Sequence, residues 1–402
     1  MLSRDSLNAE LTNRSEEFRD FIGEHLSAAD TFLGALTALA SAASEDVTSR
    51  LNASENPGAV PSPELFNNDG VALPFSVSWN DHEDARRWAA EILDNRTTFA
   101  ADGSQIYTGK ETSLPVAAVQ IGWFENPHDP AAQYHKNTRF ELLTPDILLK
   151  DQQDPMDPDI RVEARRYLGE VERIGEFLTS KQDWQERGER MPVAFFDNPL
   201  LVPFSQKGLQ KSFLDATVEL VNISKKARVP LVGYVDRSFS RDILTMLSAF
   251  SGTGNARGTA LFDASLLRIR KTDGRRQLDR WGDRTVFFYS RRIGLEAFRD
   301  ADSGSSTVGF TYLQTTSDSP PARLDVPSWV FEEGFLDETV DAVRAECVVG
   351  LGYPYILESA DQAAVISAGD RDAFFRALQE FATREKLDFS VSRKDESKRR
   401  RR

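Results

Sequence analysis

Three short apolar runs, each closed by an aspartate, limit most sharply what this chain can fold into. They are Phe99-Ala100-Ala101 before Asp102, Val193–Phe196 before Asp197, and Pro230–Val235 before Asp236. A wholly apolar run of roughly 4–8 residues between turn residues reads as a strand covered on both faces of a sheet. Leu114–Trp123 and Arg139–Leu143 add two more strand-like stretches. Between them lie helical patterns, above all Val162–Leu178, with Val162, Leu168, Val171, Ile174 and Phe177 on one face. Strands that alternate with helices define an α/β class. Asp102 reads as a carboxylate at a sheet edge, with Gly103 permitting a sharp turn after it.

The chain has 402 residues, of which 40% are hydrophobic, enough for one large or two modest domains. No stretch approaches the roughly 20 apolar residues of a membrane span. The opening residues are too polar for a secretory signal, which points to the cytoplasm. The single cysteine, Cys347, excludes an internal disulfide framework and a cysteine-rich zinc site. His25, His82, His128 and His135 show no metal-ligand spacing. A net charge of −14 argues against a general nucleic-acid binder, although metal-site carboxylates count toward it and a channel can still be locally basic. The run Lys398–Arg402 is the local exception: either a solvated tail or a segment that adds affinity for nucleic acid or an acidic partner.

Three parts follow in order. Residues 1–94 read as a helical N-terminal region packing on the core, with Leu7, Leu11, Phe18, Phe21 and Ile22 at helical spacing. Asn56-Pro57-Gly58 and Pro61-Ser62-Pro63 break it, 64–80 read as loop, and Asn80-Asp81 caps a helix running to Leu93. Residues 95–388 hold the strands and form the main domain, with 179–192 an exposed insertion, and residues 389–402 form a basic tail. Later strands fall at Thr285–Tyr289 and Thr307–Thr315. Helices fall at about 206–227, 241–250, Asp337–Val349, 356–367 and 370–385.

Asp102, Asp197 and Asp236 thus stand at strand ends, and the long helix carries Glu163, Glu170, Glu172 and Glu176. Carboxylates from separate elements that meet at one point can hold two divalent cations ~4 Å apart, which activate a water and stabilise the leaving oxygen of a phosphodiester. Mg²⁺ and Mn²⁺ both prefer oxygen ligands. Acidic residues are also common at strand ends in a chain with 63 Asp and Glu, so the pattern alone leaves both readings open.

Further motifs carry a resemblance. Phe99–Ser104 is an apolar lead into Asp-Gly-Ser. Arg165-Arg166-Tyr167 precedes Glu170, and Phe195-Phe196-Asp197 precedes Leu200-Leu201. Arg323–Pro327 and Gly352-Tyr353-Pro354 with Ala364-Val365-Ile366 follow. Together these blocks resemble the NurA nuclease family. The resemblance implies a ribonuclease-H-like mixed sheet flanked by helices. It also implies manganese- or magnesium-dependent DNA cleavage, 5′-to-3′ exonucleolytic or single-strand endonucleolytic, in DNA end processing. A homodimer and a hexameric HerA-type ATPase partner are expected with it; the chain has no GxxxxGKS/T phosphate loop of its own. Matched to the family's motifs, Asp102, Glu170, Asp197 and Asp236 are the expected metal ligands, with Tyr353 and Asp361 as further active-site residues. Glu163 or Glu176 could replace Glu170. Pro354 suits the first turn of a helix whose N-terminus, with Tyr353, would face the Asp102 groove.

Two departures stand out. Asp197 is followed by Asn198-Pro199 where the family has Gly-Ser, and Asp361 occupies a position often held by histidine. Two alternatives remain on these grounds: a non-catalytic adaptor docking on the ATPase, and a ribonuclease-H-like nuclease acting on RNA–DNA hybrids.

Overall fold

The computed structural model describes residues 3–68, 70–108, 113–149, 157–201, 210–252, 256–270 and 276–388. The basic tail, the start of the helix read from 206 and part of the turn at 152–158 lie outside the described residues. The chain divides into two compact units, one of residues 1–78 with 235–328, the other of 79–234 with 329–402.

The second unit is built on five strands: β1 (Thr98–Ile106), β2 (Ala117–Asn126), β3 (His135–Leu143), β4 (Val193–Phe196) and β5 (Leu231–Val235). They lie in the order β3-β2-β1-β4-β5. β1 pairs antiparallel with β2 from Thr98↔Asn126 to Ile106↔Ala118, and β2 antiparallel with β3. β4 runs parallel to β1 from Thr98↔Val193 to Ala101↔Phe196, and β5 parallel to β4. A three-strand meander extended by two parallel strands in this order is the ribonuclease-H-like mixed sheet. The four residues of β4 are all buried, as an apolar run in a covered sheet requires.

Helices α1 (His82–Leu93), α2 (Pro158–Ser180), α3 (Gln210–Ala227), α4 (Leu336–Val349), α5 (Tyr355–Ala364) and α6 (Ala368–Arg384) surround the sheet. Asp81 caps α1, accepting from the amides of Glu83 and Asp84. α2 and α3 are the crossovers that parallel strands demand, leading from β3 to β4 and from β4 to β5. Two glycines fix where helices touch the meander. A Cβ on Gly103 would lie 2.5 Å from Arg166 Cγ of α2, and a Cβ on Gly122 would lie 2.3 Å from the Ala364 nitrogen of α5. Gly103 pairs with Ile121 and Gly122 with Asp102. Paired residues share a face and neighbours along a strand alternate, so α2 and α5 cover opposite faces.

The sequence reading is amended in several places. Gly103 is in mid-strand, paired across to β2, and turns nothing; its missing side chain makes room for α2. The stretch 181–188 is a series of turns anchored by buried Trp184, whose indole N–H donates to the Arg228 carbonyl at 3.0 Å, so it is not simply an exposed insertion. Pro354 is the N-cap of α5 rather than a first-turn residue, and α5 ends at Ala364.

The first unit contains Arg4–Asn13, Ser15–Ala40 and Ser44–Ala53 as helices, with an antiparallel sheet in the order Gly58–Pro61, Phe288–Arg291, Val308–Leu313, Ala322–Pro327. Leu7, Leu11, Phe18, Phe21 and Ile22 are exposed; burial of the long helix begins at Ala29 and continues through Phe32, Leu36 and Leu39. Residues 235–328 fold with these helices, a grouping that sequence order hides.

Candidate active site

β1 is buried from Thr98 through Ala101 and emerges from the core at Asp102. Its parallel ladder with β4 ends at the pair Ala101↔Phe196. Asp102 is the next residue of β1 and Asp197 the first residue past β4, and the charge of Asp197 reaches Asp102. Two apolar strands of matched register thus deliver two carboxylates to one place. Asp197 is exposed in the bend after β4.

α2 supplies the third carboxylate. Its buried face includes Val162, Tyr167, Val171, Ile174 and Phe177, and Glu170 falls among them. Gly169 lets this turn settle on β2, since a Cβ there would meet Ile121 Cγ1 at 2.8 Å. Arg166, one turn earlier, donates from Nη1 to Glu170 Oε1 at 2.6 Å, and Asn198 donates from Nδ2 to Oε2 at 3.3 Å. Asn198 thus ties the bend after β4 to α2. The other glutamates of α2 are engaged elsewhere. Glu163 accepts from the Tyr107 hydroxyl, Glu172 from Arg165, and Glu176 from Arg139. Of the alternatives the sequence leaves open, Glu170 is the one brought beside Asp102 and Asp197.

The electrostatics follow from crowding. Burial pushes the Glu170 carboxyl up to about 8; Arg166 opposes the shift, and the charges of Asp102 and Asp197 add to it. Burial also pushes Asp102 up to about 6, against a hydrogen bond from the Gly103 amide at 2.7 Å, with Asp197 and Asp361 raising it further and Arg166 lowering it. Asp361, exposed on α5, is thereby placed within electrostatic reach of Asp102.

The remaining expected residues sit differently. Tyr353 is half-buried just before α5, edge-on to Tyr234 with ring centroids 5.3 Å apart. Asp236 is exposed in the bend after β5 and falls in the first unit. In the N-terminal turn of α5 expected to face a phosphate, the Ile356 amide donates to Glu346 Oε2 at 2.9 Å. Glu346, Asn198 and Arg166 were not singled out as site residues from the sequence. For Arg166 a signal existed, its spacing of four from Glu170.

Among the described residues no three His, Cys, Asp or Glu side chains converge into a preformed metal cage. The donor set is nonetheless chemically suited to a hard divalent cation. It is all carboxylate, and its raised proton affinity is what a bound cation would relieve.

Residues 96–366, about two thirds of the chain, match the sequence model of the NurA domain. No protein of curated function matches the chain by sequence. Similar solved structures include NurA with manganese, at 10% identity and TM-score 0.38 over 71% of this chain and 90% of that one. A second NurA structure has 12% identity and TM-score 0.36 over 71% and 89%. The catalytic domain of human endonuclease V has 15% identity and TM-score 0.32 over 73% and 88%. No helix among the described residues is long and apolar enough to cross a membrane.

Proposed function

The chain belongs to the NurA family, and on that premise we propose that it is a metal-dependent nuclease that hydrolyses DNA phosphodiester bonds. The observation that carries the proposal is the end of the β1–β4 ladder, where Asp102 on β1 and Asp197 just past β4 come within electrostatic reach of Glu170 on α2. Asp102, Asp197 and Glu170 would hold Mn²⁺ or Mg²⁺, with Asp361 in reach as an additional acceptor. Asp236, exposed just past the end of β5, is a further candidate ligand. A divalent cation bound there supplies Lewis acidity toward the phosphate and a water of lowered pKa. The chain's own part is to fix the carboxylates on rigid strands, to hold Glu170 through Arg166 and Asn198, and to keep the base of the site dry through Phe195 and Phe196, both fully buried. Asp361 cannot donate a proton while ionised, so where the family often has histidine this chain supplies only an acceptor.

The reading extends to action on DNA ends or single strands in the cytoplasm, 5′-to-3′ exonucleolytic or endonucleolytic. It includes a homodimer working with a HerA-type hexameric ATPase, with Tyr353 serving the active site. One observation favours a second reading. Both oxygens of Glu170 are engaged by Arg166 and Asn198, as suits a non-catalytic family member that only docks on the ATPase. Incubating the purified chain with labelled single- and double-stranded DNA and Mn²⁺, Mg²⁺ or EDTA decides between them. Cleavage that needs the cation supports the nuclease; no cleavage under any cation supports the adaptor. An RNA–DNA hybrid in the same assay tests substrate class.

A further inference from the structure

Glu346 lies in α4, outside the acidic grouping, and is fully buried. Its carboxylate nevertheless meets both elements that bring Asp102 and Asp361 together. Oε1 accepts from the Thr98 hydroxyl at 2.8 Å, and Thr98 is the first residue of β1. Oε2 accepts from the Ile356 amide at 2.9 Å, and Ile356 is the second residue of α5.

This bond answers a local deficiency. The first amides of a helix have no partner within the helix, and an N-cap side chain ordinarily takes one of them. The N-cap of α5 is Pro354, which has no acceptor on its side chain, and no side-chain cap is formed. Glu346 supplies the missing acceptor from another helix, and a carboxylate at that end also suits the helix dipole. Among the described residues no arginine or lysine pairs with it. The imidazole of His128 lies beside it, with Nε2 3.6 Å from Oε1 and Nδ1 bonded to the Arg96 carbonyl at 2.7 Å. Burial holds His128 below its ordinary value, so it gives Glu346 little positive charge near neutrality. A buried carboxylate without a cationic partner is an expensive way to fill a core.

The far end of α5 is held as well. Gln120 of β2 donates to the Ala364 carbonyl at 3.0 Å, and Gly122, which pairs with Asp102, lets the helix rest on the strand. We propose that Glu346 is a positioning residue that fixes α5 against the start of β1 and thereby sets where Asp361 stands relative to Asp102. The assignment rests on the nuclease reading for its catalytic consequence; the clamp itself does not depend on that reading.

The test compares Glu346→Gln with Glu346→Met in the full chain. Gln keeps both bonds, its carbonyl accepting from Ile356 and its amide donating to Thr98. Met fills similar space and keeps neither. Glu346→Gln is expected to hold kcat within about threefold, and Glu346→Met to lower it by roughly 10–100-fold with DNA affinity unchanged, since a displacement of ~1 Å can cost ~100-fold. In an Asp361→Ala background the Met substitution should lower kcat no further. A full additional loss there, or equal loss with Gln and Met, overturns the assignment. Amide exchange gives a readout free of activity: Ile356 and its neighbours in α5 should exchange faster in Glu346→Met than in Glu346→Gln, with β4 unchanged. Equal protection of α5 in both variants overturns the clamp even if the chain proves to have no nuclease activity. Inactivity of the wild type with a normal exchange difference would count against the nuclease reading alone.

Discussion

Two clusters of carboxylates, one in each unit, use the same residue types to opposite ends. In the first unit Arg323 lies between Asp242 and Asp325, bonding each at 2.7 Å, with all three at most 2% exposed. Its guanidinium sits 3.9 Å over the Phe310 ring. Asp263 beside them accepts from the amides of Ile243 and Leu244 and from the Tyr312 hydroxyl. Donors there are supplied by the protein, and the cluster is closed. In the second unit Asp102 emerges at the end of a strand beside Asp197. Its proton affinity and that of Glu170 are raised, with Arg166 the opposing cation. A buried ion network with internal partners is complete in itself; the acids at the end of β1 keep a raised proton affinity despite Arg166, and on the nuclease reading proposed above a divalent cation would relieve it.

That contrast can be broken from either side. The largest expected effect is on chemistry. Asp102→Asn removes a charge while nearly conserving shape, and should lower DNA cleavage by ~100-fold or more, because metal ligation contributes several kcal/mol to the transition state. Its melting temperature should not fall, since a crowded charge is relieved; a cleavage rate equal to wild type in a folded variant would remove Asp102 from the site. Arg323→Leu should do the reverse. It strands Asp242 and Asp325 in the core and should cost ~3–5 kcal/mol in denaturant unfolding, and a loss below ~1 kcal/mol would deny that the network is structural.

The next effect is in pH. Ligand carboxylates bind metal ionised, and burial with the neighbouring acids pushes Asp102 up to about 6 and Glu170 up to about 8. Mn²⁺ uptake should therefore release protons and strengthen as pH rises across that range. Calorimetry in buffers of different ionisation enthalpy measures the release; uptake without proton release contradicts the shifts.

A smaller effect concerns Glu346. Burial pushes it up to about 7, against the bonds from Thr98 and Ile356. A carboxyl raised in the folded state contributes stability that is fully present below its unfolded value of ~4.5 and is lost as pH rises through ~7. Glu346→Gln removes this dependence, so the variant should gain on the wild type between pH ~5 and ~8, by up to about 3 kcal/mol, in parallel urea titrations. A pH-independent difference would show that Glu346 does not titrate in that range.

The strands that build the site were legible because burial on both faces leaves runs such as Val193–Phe196 with no polar residue until Asp197. Asp81 as a cap was legible for the same local reason. The role of Gly103 was not: Asp-Gly signals a turn by local preference, and only the approach of α2 shows that a side chain was omitted for clearance. The choice of Glu170 among four glutamates depends on the rotation of α2 against β1, which periodicity leaves undetermined. The strand Ala322–Pro327 and the helix Asp263–Arg268 escaped because Arg323, Asp325 and Asp263 are charged residues whose burial depends on one another. Glu346 escaped because its partners, Thr98 and Ile356, are remote in sequence.

The most direct test of the central claim is a Mn²⁺ titration at about pH 8, above the shifted value of Asp102, followed by electron paramagnetic resonance of wild type and Asp102→Asn in the absence of DNA. The account predicts saturable binding by the wild type and its loss in the variant, with circular dichroism unchanged. Equal Mn²⁺ binding by the two proteins would contradict it.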